Sequence, residues 1–499
     1  MRRSDLVAIG FGALSAAALP PVFALPVLWI SVPGLLRLIG RAPGWRGAAR
    51  AGFWFGFGLN LFGFYWITEA LLFAVDRFWW LVPFAVPLLA VALGVFTAVP
   101  CAIAWCARPG WRRVLALAGA WTLSNLVQQF AFTGFPWNLW GGDWAIPGHL
   151  GDIFIQPAAW VSVHGLTLAT LVLAGLPALG WRGFAGAVAG VLVWGGAGLA
   201  RLSGPAPAPQ KLNVVIAQGD IPEGQKFDRT FALATFNRYL RLTHEGVLRA
   251  GAGPVAVIWP ETASPFFLQT DEAARAAIAR AAEPGVPVLA GTVRFDRHGR
   301  PRNSLVAVTG PGPVAAVYDK WHLVPFGEYQ PKWLPLPVQV VPGGGFSAGP
   351  GPKTLHVLGL PPFGALICYE AIFPGQIIAP HDRPDWLVNV TNDAWFGNSA
   401  GPRQHLAAAR MRAVEEGLPL VRAANTGISA VFDARGHETG HLGLDRRGVL
   451  IRALPGALPP TLFARFGLPI PALLAFLALL AGLVRRRRKP GQEPPAVIS

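Results

Sequence analysis

The first 200 residues carry seven apolar runs close to bilayer-spanning length, and no other feature constrains the fold as much. A helix needs about 20 mostly apolar residues to cross the hydrocarbon core of a membrane. The runs lie at 5–19, 21–37, 51–71, 80–106, 114–131, 157–178 and 184–200, and an eighth lies at 462–484. Composition agrees: 53% of the 499 residues are hydrophobic and only 14% are charged, too apolar for an ordinary soluble protein of this size. The opening "MRRSDLVAIGFGALSAAALP" has the basic start and small-residue end of a cleaved signal peptide. A second apolar run and a basic loop follow directly, so it reads as a retained first helix.

The formal net charge of +16 would suggest nucleic acid if the basic residues shared one soluble surface. They sit instead in clusters beside the apolar runs: Arg2 and Arg3; Arg37, Arg41, Arg46 and Arg50; Arg108, Arg112 and Arg113; Arg182. If every run crosses, all these clusters fall on one face, as the positive-inside rule demands of the cytoplasmic side. Residues 1–200 then form a transmembrane domain that leaves residue 201 on the outer face, where "GPAPAPQK" makes 201–210 a linker. The run within 461–485 returns the chain to the cytoplasm, and "RRRRK" at 485–489 opens a basic tail over 486–499.

Residues 211–460 change character. Short strand-like runs ("LNVVIAQ", "VAVIWP", "PVLAGTV", "SLVAVTG", "DWLVNVT") alternate with helical stretches such as "DEAARAAIARAAE" and "RQHLAAARMRAVEEG", which predicts one α/β domain. The three cysteines rule out a disulfide framework: Cys101 and Cys106 belong to an apolar run, and Cys368 has no obvious partner.

Cys368, in "ALICYEAIFP", ends an apolar run, where a small buried residue is the plain reading. Two other reactive side chains stand in similar positions, Glu261 in "VIWPETASP" and Lys320 in "VYDKWHLVPFGEY". A carboxylate, an ammonium and a thiol form a complete set for covalent acyl transfer. The first takes the thiol proton, the second stabilises a carbonyl oxyanion, and the third attacks.

The order Glu261, Lys320, Cys368 and the residues flanking each resemble the nitrilase superfamily. The rest of the chain resembles its membrane-bound branch, the apolipoprotein N-acyltransferases, through "GFWFGFGLNLFGFYWITEAL", "FTGFPWN", "QGDIP", "WPET", "HLVPFGEY", "ICYE", "NDAWFG", "GPRQHLAAARMRA" and "NTGISAV". The resemblance implies a polytopic helical membrane bundle of about eight transmembrane helices plus a nitrilase-like αββα sandwich. It implies a bacterial inner-membrane enzyme with its catalytic domain in the periplasm and both termini in the cytoplasm. Cys368 would be the nucleophile, Glu261 the general base and Lys320 the oxyanion partner, with Glu328, Glu370 and Tyr369 in support. Phosphatidylethanolamine would donate an acyl chain, by way of a thioester, to the N-terminal diacylglyceryl-cysteine of an apolipoprotein. No cofactor or metal is required. Phe227, in "QKFDR" where the family commonly has Trp, together with Trp137 and Trp395, are candidate substrate contacts. Asn125 and Gln128 stand where the family commonly has an acidic and a basic residue.

The aromatic groups "RFWW" (77–80) and "FPWNLWGGDW" (135–144) fall on the predicted outer face, as lipid-access residues or interfacial anchors. Glu69 is either functional or interfacial. "NVT" at 389–391 reads as a strand end and not a glycosylation site, and His322, His356 and His405 lack metal-ligand spacing and read as ordinary polar or packing residues. The competing functions are a membrane-tethered amidase, whose thioester water would resolve, and a transporter or receptor. The poverty of charge within the apolar runs counts against the latter.

Overall fold

The computed structural model describes residues 1–73, 75–226, 228–332 and 345–484. Each apolar run contains a helix: α1 Arg3–Ala16, α2 Leu28–Arg41, α3 Trp45–Gly63, α4 Val82–Cys106, α5 Trp111–Phe130, α6 Ala158–Gly175 and α7 Trp181–Leu202. Three described helices, Val82–Cys106, Ala158–Leu179 and Trp181–Leu202, are long and apolar enough to cross a membrane. The remaining runs fall short for two reasons. α1 and α2 have 14 residues each, about 21 Å of helix against a core of about 30 Å. α3 and α5 are long enough but carry Arg46, Arg50, Arg112 and Arg113. Close approach holds the bundle together. On α3, a Cβ at Gly56 would lie 1.9 Å from Thr97 Oγ1 on α4, and Thr97 Oγ1 donates to Gly52 O at 2.8 Å, so small residues let the two backbones meet.

The α/β part is a four-layer αββα sandwich. One six-stranded sheet has the order β12-β1-β2-β3-β4-β5 and the other β11-β10-β9-β8-β7-β6. The strands are β1 Asn213–Gln218, β2 Val255–Ile258, β3 Val288–Phe295, β4 Pro301–Val308, β5 Ala316–Asp319 and β6 Thr354–Leu355, then β7 Phe363–Ile367, β8 Trp386–Thr391, β9 Leu420–Ala424, β10 Ser429–Phe432, β11 Glu438–Leu442 and β12 Gly448–Ala453. Strand periodicity builds the layers. Val214 and Ile216 face the opposite sheet, where they meet Ala365, Ile367, Val388 and Val390. Val215 and Ala217 face the outer helices α8 (Ala232–Ala250) and α9 (Glu272–Ala282).

On the other side, α10 (Gly401–Glu416) is buried on both faces. Ala409 and Ala413 pack on the second sheet, and Met411 and Val414 pack on the helical part beside Trp144, Ile155 and Val163. Its charged residues are therefore buried in the seam. Arg410 donates to Asp152 at 2.5 Å and to the main-chain oxygens of Ala145, Ile146 and Gly436. Glu415 Oε1 accepts from Ser162 Oγ at 2.7 Å and Val163 N at 2.8 Å. Ser162 interrupts α6 with φ 62° and ψ 172°, so Glu415 satisfies a donor that the break exposes, at the positive end of the helix that resumes there. The C-terminal run breaks at Gly467 into Leu462–Phe466 and α11 (Pro469–Leu483), and α11 packs on α5, where Gly119 lies against the Ala475 carbonyl. The basic tail beginning at 485 lies outside the described residues.

Candidate active site

Four loops at the strand ends between the two sheets supply the site. Glu261 follows β2, Lys320 follows β5, Cys368 follows β7, and Asn392 follows β8. Lys320 is 1% exposed, and its Nζ lies 3.3 Å from Glu261 Oε1 and 2.8 Å from Glu328 Oε2. Asn303 Nδ2, on β4, donates to Glu261 Oε1 at 2.7 Å and to Glu328 Oε1 at 2.9 Å. Asn392 N donates to Glu261 Oε2 at 2.8 Å, and Lys226 Nζ donates to the Glu261 main-chain oxygen at 2.9 Å. Glu261 is thus gripped at both carboxylate oxygens and at its backbone.

Burial alone would raise the Glu261 carboxyl, but Lys320, Lys226 and the Asn303 hydrogen bond outweigh it and hold the group below the usual carboxylate range. Burial alone would lower Lys320, but Glu261 and Glu328 hold it above the usual lysine range. Cys368 is buried, and burial, with Glu261 adding to it, pushes its thiol above the ordinary value against the pull of Lys320. The resting site therefore pairs a protonated thiol with an ionised carboxylate and an ammonium, a proton donor, an acceptor and an oxyanion partner in one buried cluster. Cys368 itself has φ +50°, a conformation that L-residues adopt only when their surroundings impose it.

Two family profiles match this chain, that of the carbon-nitrogen hydrolases over residues 221–458 and that of the apolipoprotein N-acyltransferase N-terminal domain over residues 11–176. Apolipoprotein N-acyltransferase from Rhodopseudomonas palustris is 40% identical, covering 97% of this chain and 96% of its own length. That from Bradyrhizobium diazoefficiens is 41% identical, over 97% and 95%. The chain belongs to the apolipoprotein N-acyltransferase family. Among solved structures, an amidase from Nesterenkonia sp. overlays 51% of this chain and 94% of its own at 19% identity, with a TM-score of 0.38.

In this member of the apolipoprotein N-acyltransferase family, Glu370 ties the Cys368 loop to the Lys320 loop. Its Oε2 accepts from Ile367 N at 2.7 Å and Tyr318 Oη at 2.9 Å, and its Oε1 accepts from Trp321 N at 2.7 Å and His322 N at 3.3 Å. Burial pushes its carboxyl up to about 7 despite the main-chain donors at Ile367 and Trp321. Glu328 accepts from Val324 N at 2.9 Å as well as pairing with Lys320. Tyr369 Oη donates to Gly134 O at 2.7 Å, a bond to the helical part.

The tentative substrate contacts fall in different places. Trp137 Nε1 donates to Gln404 Oε1 at 2.8 Å, and its ring packs against Trp66, Phe396 and His405. Trp395 is half-buried with its ring 6.5 Å from Phe73. Phe227 lies outside the described residues. The aromatic groups also part company: Trp79 and Trp80 are exposed, whereas Trp140 and Trp144 are buried in the packed interior and cannot face lipid. Glu69 is half-buried, with its carboxylate against Gly397 of the α/β part. Asn125 Nδ2 lies 3.5 Å from Gln128 Oε1, and Gln128 Nε2 donates to Phe135 O.

His405 is a buried polar packing residue, and it bonds the main chain of Cys368. Its Nδ1 lies 3.0 Å from Asp393 Oδ1 and its Nε2 lies 3.0 Å from the Cys368 main-chain oxygen, while Arg422 Nη2 donates to Asp393 Oδ2 at 2.7 Å. Burial would raise Asp393, but Arg422 and His405 hold it at about 2. Sequence reasoning missed Asn303, Asn392 and Lys226. Asn392 and His405 stand in quoted motifs, and a buried amide or imidazole there was the available signal. Lys226 stands in the quoted "QKFDR" beside Phe227, and Asn303 carries no local mark.

Proposed function

We propose that this acyltransferase moves an acyl chain from a membrane phospholipid, phosphatidylethanolamine in the first instance, to the N-terminal amine of a diacylglyceryl-modified apolipoprotein. The observation that carries the reading is the buried Glu261–Lys320 pair beside Cys368, on a chain that also carries helices long and apolar enough to cross a membrane. Glu261 takes the Sγ proton as the sulfur attacks the donor's ester carbonyl, and Lys320 stabilises the oxyanion. The C–O bond breaks, the leaving alkoxide takes the proton back from Glu261, and lysophospholipid departs, leaving a thioester on Cys368. The acceptor amine then attacks that carbonyl, Glu261 takes its proton, the C–S bond breaks, and Glu261 returns the proton to sulfur. Glu328, Glu370 and Tyr369 hold Lys320 and Cys368 in register for both halves, and the two substrates use the site in turn.

The helical part has a physical role in this scheme. Both substrates are anchored by acyl chains, and extraction would cost about 0.8 kcal/mol per CH₂. A site held at the bilayer surface avoids that cost. Within this reading the eight helical runs are crossings, shortened or polar ones being sheltered by their neighbours. The linker 201–210 and residues 211–460 then lie on the periplasmic face of the inner membrane, and both termini are cytoplasmic.

The test is intact-mass analysis of purified wild type and Cys368→Ala with phosphatidylethanolamine alone. An increase of one acyl chain, labile to hydroxylamine, absent in the variant and discharged by a diacylglyceryl lipopeptide, is the expected result. An undischarged adduct hydrolysed by water supports a membrane-tethered amidase, and no adduct in folded wild type removes Cys368 from the chemistry.

A further inference from the structure

One carboxylate beside the proposed centre takes no part in these steps. Glu223 stands in the helical turn Glu223–Lys226 that follows β1 and is 5% exposed. Its Oε2 accepts from Asn392 Nδ2 at 2.6 Å, whereas its Oε1, also buried, has no hydrogen-bond partner among the described residues. Buried carboxylate oxygens are rarely left without a donor, and this one has a defined position. Asn392 binds Glu223 through its side chain and Glu261 through its main-chain N–H, so a single residue holds both carboxylates. Asn392 Oδ1 is in turn fixed by Asn425 Nδ2 at 3.0 Å.

The charge count around this point is unbalanced. Glu223, Glu261 and Glu328 contribute three carboxylates, and Lys226 and Lys320 contribute two ammonium groups. Lys226 is directed at the Glu261 main-chain oxygen and lies near enough to Cys368 and Lys320 to act on both electrostatically. Burial raises the Glu223 carboxyl against the pull of Lys226 and of the Asn392 hydrogen bond, and its buried Oε1 is left without a donor on a carboxylate that Asn392 joins to Glu261. A small cation with N–H groups fits it better than any neutral ligand.

Resting on the function proposed above, we propose that Glu223 Oε1 receives the primary ammonium of a substrate and holds it next to Glu261. Two substrate groups have that chemistry, the acceptor's N-terminal amine and the donor's ethanolamine. For the acceptor the arrangement has a further use. An α-amine with a pKa near 7.7–8.0 arrives mostly protonated at neutral pH and cannot attack until one proton leaves. Docked on Glu223, it leaves that first proton on the Glu223 carboxylate, and Glu261 takes the second as the neutral amine attacks the thioester and passes it to sulfur.

The experiment uses full-length wild type and Glu223→Gln in detergent–phospholipid micelles and follows the Cys368 adduct by intact mass. Acylation is measured with phosphatidylethanolamine and with phosphatidylglycerol. Discharge is measured with a diacylglyceryl lipopeptide and with hydroxylamine, a nucleophile that is neutral at pH 7. If Glu223 holds the acceptor, the variant needs at least tenfold more lipopeptide for half-maximal discharge while hydroxylamine discharges both proteins alike. If it holds the donor head group, acylation slows at least tenfold with phosphatidylethanolamine and not with phosphatidylglycerol. Rates equal to wild type in every arm overturn the proposal, as does an equal loss across all arms, which is the signature of a structural role. Should the variant not fold, ethylammonium in the wild type decides: it competes with one substrate where potassium at equal ionic strength does not, and absence of competition overturns the proposal. No adduct in the wild type would instead overturn the function on which the inference rests.

Discussion

Replacing Lys320 by Met tests the electrostatic core of the site. Lys320 is 1% exposed and is the ammonium that lies between Glu261 and Glu328, at 3.3 and 2.8 Å. Met keeps most of the volume and removes the charge, leaving two buried carboxylates joined through one Asn303 amide nitrogen. Removing one partner of a buried ion pair costs about 3–5 kcal/mol because the remaining charge is stranded. At roughly 2–4 °C per kcal/mol for a domain of this size, the melting transition should fall by roughly 6–20 °C. The same loss lets burial dominate at Glu261, so its carboxyl rises and the base is protonated where the wild type's is ionised. With an oxyanion donor also gone, a factor of about 10²–10³ by itself, acyl-enzyme formation should drop by more than that. Pairing Lys320→Met with Glu328→Gln removes one stranded charge and should recover at least half of the stability and none of the activity. The assays are thermal denaturation and the rate of Cys368 adduct formation by intact mass. A single variant that melts within 2 °C of wild type, or acylates within tenfold of its rate, would refute the reasoning.

Four further outcomes follow from the geometry. Glu370 has a folded pKa of about 7 against an unfolded value near 4.3, so its contribution to stability is full below the unfolded value and is lost as pH rises through 7. Glu370→Gln should flatten the dependence of denaturation midpoint on pH between about 5 and 7.5 by an amount of order 3 kcal/mol, while lowering stability throughout because Gln offers an N–H to a main-chain donor. His405→Ala removes the side-chain nitrogen that bonds the Cys368 main-chain oxygen and should slow acylation about 10–100-fold for a stability cost of about 1–3 kcal/mol. Arg410→Ala leaves Asp152 with His437 as its partner but orphans the seam oxygens of Ala145, Ile146 and Gly436, and the expected loss of about 1–3 kcal/mol should appear as faster proteolysis at the linker between α7 and β1. Gly134→Ala places a Cβ 2.3 Å from Gln129 O at a φ of +75°, and acylation should slow at least tenfold although Gly134 lies outside the proposed acyl-transfer steps.

Much of the architecture was legible because burial follows period. "LNVVIAQ" alternates between two cores, so its strand character is written in the letters. The limits of the membrane helices were less so, because hydropathy does not register backbone breaks. The run at 51–71 stops being one helix at Gly63, and the run at 462–484 stops at Gly467. α10 gave no amphipathic stripe because both of its faces are buried, one on a sheet and one on the helical bundle. Its Arg410 and Glu415 are seam contacts. In the site, Glu261, Lys320 and Cys368 are legible through their order and flanking residues taken together. Asn303 is not, because what matters about it is sheet register: Asn303 faces Glu261 only because β4 pairs antiparallel with β3 and β5.

The seam also explains why a nitrilase-like site here is built against helices and not beside them. The loop 131–137 of the helical part touches both reactive loops. Thr133 O accepts from His322 Nε2 at 3.0 Å, two residues from Lys320, and Gly134 O accepts from Tyr369 Oη at 2.7 Å, one residue from Cys368. Gln129 Nε2 adds a bond to Pro374 O at 2.9 Å, and Phe135, Tyr369, Phe373 and His322 form a continuous run of ring contacts. The strained φ of Cys368 must be held by its surroundings, and part of that surrounding is the helical bundle itself. A shift of the bundle against the sandwich therefore moves the Lys320 and Cys368 loops together. Bilayer contact and nucleophile geometry become one mechanical problem, with Gly134 at its pivot because a side chain there has nowhere to go.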